Sequence, residues 1–109
     1  MEFLPDEIEN VIKDYVILKP KTKQELQEAV DLWCDNKDEA FKKYGHISNW
    51  DTSLITDMSK LFYKKKKFND DINSWNVSSL ANMKAMFEDT FSFNYPLNSW
   101  NVSSVTNMG

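Results

Sequence analysis

Tryptophan stands at positions 50, 75 and 100, a spacing of 25 residues, and the match extends well beyond the indoles. The segments Ile47-Ser48-Asn49-Trp50-Asp51-Thr52-Ser53, Ile72-Asn73-Ser74-Trp75-Asn76-Val77-Ser78 and Leu97-Asn98-Ser99-Trp100-Asn101-Val102-Ser103 align. Met58 then matches Met83 and Met108, Phe62 matches Phe87, and Phe68-Asn69 matches Phe93-Asn94. A unit this short cannot bury its own apolar side chains. Its tryptophans, methionines and phenylalanines must be covered by the equivalent residues of neighbouring units. The predicted core is therefore Trp50, Trp75, Trp100, Met58, Met83, Met108, Phe62, Phe87, Phe68 and Phe93, with Trp75 between its two equivalents.

A period of 25 residues lies inside the leucine-rich-repeat range and well short of a propeller blade. Ile55, Met58, Leu61 and Phe62 follow a helical spacing that Leu80, Met83, Met86 and Phe87 repeat, with Ser53 and Ser78 placed as N-caps. In Asp71–Val77, Trp75 and Val77 alternate with polar residues, which predicts a short strand. The predicted fold class is therefore α/β: a short leucine-rich-repeat-like solenoid over residues 47–109, with one short strand and one short helix per unit, in two full repeats and a truncated third. Asparagine recurs at 69/94, 73/98, 76/101 and 82/107, where its side chain is expected to bond backbone groups of the adjacent coil.

The pattern Trp-Asp/Asn-x-Ser-x-x-Thr-Asp/Asn-Met, then Met/Leu-Phe, then Phe-Asn-x-x-Ile/Leu, resembles the BspA-like leucine-rich-repeat surface-protein family over residues 46–109. Similar sequences occur on bacterial cell surfaces and in large DNA viruses. The resemblance implies a role in protein interaction or adhesion. The family usually places a small or Cys residue and a Gly-rich turn after the Met-Phe pair. Here the first unit carries Tyr63-Lys64-Lys65-Lys66-Lys67 instead.

Residues 1–46 read as an α-helical N-terminal cap covering the apolar end of the stack. Ile8, Val11, Ile12, Tyr15 and Val16 form one stripe, opened by Leu4-Pro5-Asp6-Glu7. Thr22-Lys23-Gln24-Glu25 is a capping-box sequence, and Leu26, Ala29, Val30, Trp33 and Cys34 then share a face. Asn36 is placed to cap a third helix carrying Ala40, Phe41 and Tyr44, with Gly45 closing it. Leu4-Pro5-x-Glu7-Ile8-x-x-Val11-Ile12-x-x-Tyr15 also looks like the start of an F-box, over residues 3–17, with Trp33 loosely where an F-box often has tryptophan. That resemblance implies an adaptor surface at Leu4, Pro5 and Ile8 and recruitment of substrates to a ubiquitin ligase.

Chemistry-bearing groups are sparse. The chain has one histidine, His46, and one cysteine, Cys34, which is expected to be a buried small hydrophobe. No phosphate loop, dinucleotide fingerprint or Ser elbow is present. No arginine is available for bidentate anion clamps. No catalytic residue, metal or cofactor is expected. The net charge of −4 lies wholly in residues 1–46, which argues against a nucleic-acid footprint over the domain. The longest apolar run, Tyr15-Val16-Ile17-Leu18, is too short to insert into a membrane, and an intracellular or virion-associated location is expected over the cell surface. Lys64, Lys65, Lys66 and Lys67 read as a solvated loop on the rim, with a nuclear-import patch or an anionic contact as alternatives. The function expected is a non-catalytic protein-protein interaction module with an unidentified protein partner; the alternatives are the F-box-like adaptor and an adhesin fragment. Trp100, Val102, Val105 and Met108 are expected to form an open apolar face, so that the chain is either a piece of a longer array or associates with copies of itself through that end.

Overall fold

The computed structural model describes residues 17–108, so the expected first helix, with Leu4, Pro5 and Ile8, lies outside the described residues. Among the described residues two α-helices come first, α1 (Lys23–Asp35) and α2 (Lys37–Tyr44). Thr22 Oγ1 accepts the Glu25 N–H at 3.1 Å, and Glu25 Oε1 reaches back to the Lys21 N–H at 2.6 Å. The expected capping box is thus present, displaced by one residue on its return arm. Asn36 ends one helix and starts the next: its N–H donates to Leu32 O at 2.7 Å, and its Oδ1 accepts the Glu39 N–H at 3.2 Å. Gly45 closes α2 at φ 79°, a left-handed value glycine adopts without a Cβ clash. Leu26, Ala29, Val30 and Trp33 of α1 and Ala40 of α2 are buried. Cys34 and Phe41, expected on the same faces, are exposed instead.

The 25-residue units follow, and they correct the predicted fold class. Among the described residues they contain neither a strand nor an α-helix; a 3-10 turn, Ile47–Asn49, opens the first unit, and the β-type pairing consists of two isolated parallel bridges, Asp57 to Asn82 and Asn82 to Asn107. The remaining backbone is turns and irregular coil. The α/β leucine-rich-repeat-like solenoid, with a strand and a helix in each unit, is therefore not the architecture.

The backbone hydrogen bonds explain why. Between Met58 and Lys65 they alternate. The N–H groups of Met58, Lys60, Phe62 and Lys64 donate outward, to the carbonyls of Asn82, Lys84, Met86 and Glu88 at 2.8–3.0 Å. Those of Leu61, Tyr63 and Lys65 fold back to Met58, Lys60 and Phe62, three residues earlier, at 2.9–3.1 Å. An α-helix needs every N–H for its own i−4 carbonyl, and here alternate donors are committed to the next unit. The apolar spacing that resembles a helical stripe belongs to a run of β-turns. Their third positions, Lys60 and Lys64 and the equivalent Ala85 and Asp89, have φ between 56° and 61°. A left-handed residue with a Cβ costs about 1–2 kcal/mol, a cost offset by the bonds on both sides of each turn. The Gly-rich turn of the family pattern thus has a glycine-free counterpart, with Lys64 at its left-handed position.

The expected strand at Asp71–Val77 fails for a related reason. Asp71 Oδ1 captures the Asn73 N–H, Asn76 Oδ1 captures the Ser78 N–H, and the Trp75 N–H turns back to Ile72 O. Side-chain acceptors two residues back outcompete a ladder for these donors. Ser53 and Ser78 are accordingly donors within such turns, to Asp51 and Asn76, and cap no helix. The asparagines divide into two sets. Asn69 and Asn73 bond the next unit, accepting the N–H groups of Asn94 and Ser99 at 3.0 and 2.9 Å, whereas Asn76, Asn82 and Asn101 close turns within their own.

The units lie on one another in register. Trp50 and Trp75 stack with ring centroids 6.4 Å apart, Phe62 and Phe87 at 5.6 Å, and Phe68 and Phe93 at 5.5 Å. Each later indole also donates back one unit, Trp75 Nε1 to Ile47 O at 2.7 Å and Trp100 Nε1 to Ile72 O at 2.9 Å. Ile47 O and Ile72 O each accept a second bond as well, from the N–H of Trp50 and Trp75 respectively. Of the expected core, Trp50, Trp75, Met58, Phe62 and Phe68 are buried, Met83, Phe87, Phe93 and Trp100 are half-buried, and Met108 is 58% exposed.

Trp75→Ala is expected to cost about 3–5 kcal/mol, and Trp100→Ala, half-buried, clearly less. Urea unfolding followed by circular dichroism measures both, and equal losses would contradict the stacking order.

Two acidic turns mark the first unit where later units carry asparagine. The Ser53 hydroxyl and N–H hold the Asp51 carboxyl below its ordinary range. Burial pushes the Asp57 carboxyl up, but the Ser59 N–H and hydroxyl outweigh it and the net direction is down. A carboxylate with a depressed folded pKa adds stability that is full above its unfolded value, about 3.9, and is lost as pH falls through the folded value. The double variant Asp51→Asn/Asp57→Asn keeps both acceptors. It is expected to melt near wild type at pH 7 and to lose less stability than wild type between about pH 5 and 2. Thermal melts across that range check this, and parallel pH profiles would count against it.

Candidate functional site

α1 lies against the first unit through side chains that also define a groove. Trp33 is buried, edge-on to Trp50 with centroids 6.0 Å apart and to His46 at 5.0 Å. Its indole Nε1 donates to Asp70 Oδ2 at 2.9 Å, and Lys37 Nζ approaches the same oxygen at 3.2 Å. Gln27 Nε2 donates to Leu61 O at 3.0 Å, and Lys65 pairs with Asp31 at 2.9 Å. Between these contacts runs an open groove of about 630 Å³, walled on one side by the end of α1 and on the other by Lys64–Phe68.

The four lysines are not equivalent. Lys65 is half-buried and held by Asp31. Lys64 Nζ rests 5.2 Å from the Tyr63 ring centroid. Lys66 and Lys67 are exposed and form no ion pair among the described residues. The run is a turn tied to the next coil, where the Lys64 N–H donates to Glu88 O and Lys66 O accepts the Ser92 N–H.

Sequence reasoning missed two further surface residues. Phe91 is 73% exposed and Tyr95 is 42% exposed. They occupy the unit positions of Lys66 and Asp70, one coil further on. The signal was available as a departure from the repeat: the aromatic positions that match between the first two units, Trp50/Trp75, Phe62/Phe87 and Phe68/Phe93, pack into the core, and these two aromatics stand where the first unit has Lys66 and Asp70.

The remaining chemistry-bearing residues have structural partners. His46 Nδ1 accepts the Ser48 N–H at 3.1 Å. Asp71 is occupied by the turn at Asn73. Asp70, the acid beside it, is tied to Trp33 and Lys37, and among the described residues no three His, Cys, Asp or Glu side chains converge as metal ligands. The Cys34 thiol faces the groove although the residue is exposed. Desolvation there pushes its pKa up to about 11, against a smaller downward pull from Lys65. Trp33, loosely at an F-box tryptophan position in the sequence, is taken up by the contact between helix and repeat. Among the described residues no helix is long and apolar enough to cross a membrane.

A helical pair packed on 25-residue units stacked in register makes this a repeat-protein module. The chain belongs to the DUF285 family, described as Mycoplasma protein of unknown function, whose model matches residues 31–109. That family is associated with BspA-like repeat proteins. Neither a curated protein nor a solved structure matches the chain.

A thiol with a pKa of about 11 is almost wholly protonated at neutral pH. Alkylation of Cys34 by iodoacetamide at pH 7.4 is expected to run about tenfold or more slower than that of a free cysteine, and to accelerate on unfolding in urea. An equal rate in the folded chain would show that the groove does not desolvate the thiol.

Proposed function

We propose that this chain is a non-catalytic protein-interaction module, with the groove and the adjoining turns as its contact surface. The observation that carries this reading is the division of labour within each unit. Repeated apolar positions are committed to stacking and repeated asparagines to hydrogen bonds within or between units, while the exposed side chains on the turn beside the groove change from one unit to the next, Lys66 and Lys67 against Phe91 and Ser92. Constant packing with variable surface residues is how repeat arrays present binding faces. The protonated Cys34 thiol and the turn-bound His46 support a role without covalent chemistry. The F-box-like alternative rests on residues 3–17, of which 3–16 lie outside the described residues.

The test is affinity capture with the full chain, followed by reconstitution with each captured protein in purified form. Saturable binding that leaves the partner's intact mass unchanged is expected. A partner whose mass changes on incubation, or capture with no protein that binds saturably once purified, would overturn the reading.

A further inference from the structure

Building on the protein-interaction reading, we propose that the groove binds an acidic peptide segment of its partner, with an aromatic or bulky apolar side chain of that segment placed beside Phe91. Three observations converge on this chemistry.

The first is the charge left over once internal pairs are made. Asp31 is taken by Lys65, and Asp70 by Lys37 and the Trp33 indole. Of the groove's acids, Asp35 alone forms no ion pair among the described residues. Lys64, Lys66 and Lys67 remain as cations. Glu88 and Asp89 lie one coil beyond Lys64 and weaken the field there. The effective positive charge is therefore centred on Lys66 and Lys67.

The second is the ordering of the backbone that carries that charge. The Lys66 carbonyl is tied to the Ser92 N–H, the Phe68 N–H closes on Lys65 O, and Phe68 is buried against Phe62 and Phe93. The two ammonium groups project from a backbone already ordered, which lowers the entropy lost on binding compared with a free loop.

The third is the aromatic neighbour. The turn carrying Phe91 lies directly on the lysine turn, joined by Ser92 N–H to Lys66 O at 3.2 Å and Asn94 N–H to Asn69 Oδ1 at 3.0 Å. A large exposed phenylalanine next to lysines that form no ion pair among the described residues suits a ligand with carboxylates and an apolar side chain in sequence. A long polyanion fits less well, because the exposed Asp35, Asp38 and Glu39 on the helical side would repel its extension.

The experiment is fluorescence anisotropy of the full chain with a labelled peptide of alternating Glu and Asp around one central Phe. The comparison probes are the same peptide with Gln and Asn for its acids, the same peptide with Ser for its Phe, and a single-stranded oligonucleotide of equal charge. The acidic peptide is expected to bind saturably and to weaken about threefold or more as salt is raised, since exposed charge pairs are screened. Lys66→Glu with Lys67→Glu is expected to weaken it about tenfold or more, and Phe91→Ser about threefold, with thermal melts of these exposed-site variants close to wild type. Lys66→Gln with Lys67→Gln, expected to show an intermediate loss, replaces the charge reversal if that variant is misfolded. A photoreactive Phe in the peptide is expected to crosslink within 64–68 or 91–95. No saturable binding by the acidic peptide, binding unmoved by the variants, crosslinks elsewhere, or equal affinity for the oligonucleotide would each overturn the proposal. If the peptide fails while a captured protein still binds, this proposal falls and the protein-interaction reading stands.

Discussion

The structure depends on a hydrogen bond between an indole and a carbonyl 28 residues earlier. Trp75 Nε1 meets Ile47 O and Trp100 Nε1 meets Ile72 O, and each carbonyl already accepts the N–H of its own unit's tryptophan. Both lone pairs of a buried carbonyl are thus satisfied, one by the local turn and one by the next unit. A slip of one residue would leave that acceptor and a buried indole N–H without partners, which costs more than a hydrogen bond gains. This bond therefore sets the register that the ring stacks at Trp50/Trp75, Phe62/Phe87 and Phe68/Phe93 then fill.

With register set, the backbone has no need of long regular elements. Alternate N–H groups from Met58 to Lys64 reach the next unit while the intervening ones close turns, so the demand for donors is met on two fronts at once. Buried hydroxyls add to the same scheme: Thr52 Oγ1 donates to Asn76 O at 3.1 Å and Thr90 Oγ1 to Phe62 O at 2.8 Å. The arrangement accepts left-handed lysine, alanine and aspartate in place of glycine because those residues are held from both sides.

The candidate site is a by-product of how the helices dock. Burying Trp33 requires a partner for its indole, and Asp70 supplies it. Lys37 then offsets the charge of Asp70, and Lys65 does the same for Asp31. Among the described residues these pairs leave Lys66 and Lys67 exposed, on a turn joined to the one that carries Phe91.

The amino-acid sequence by itself determined the period, the ring pairs Trp50/Trp75, Phe62/Phe87 and Phe68/Phe93 and the helix caps at Thr22 and Asn36, because these rest on identity at fixed spacing and on local side-chain-to-backbone bonds. Whether a unit is a strand and a helix or a run of turns was decided only by the tertiary structure. Apolar residues three and four apart suit a helix and a pair of β-turns alike, and the choice falls to where the alternate N–H groups find acceptors, here on the neighbouring unit. The groove was equally hidden, since Lys64–Lys67 are legible as a charge run but the pairing of Lys65 with Asp31 and the burial of Trp33 on Asp70 depend on contacts more than 30 residues apart in the chain. Spacing within one unit carries no information about such contacts; only the docking of the helices on the first unit brings these side chains together.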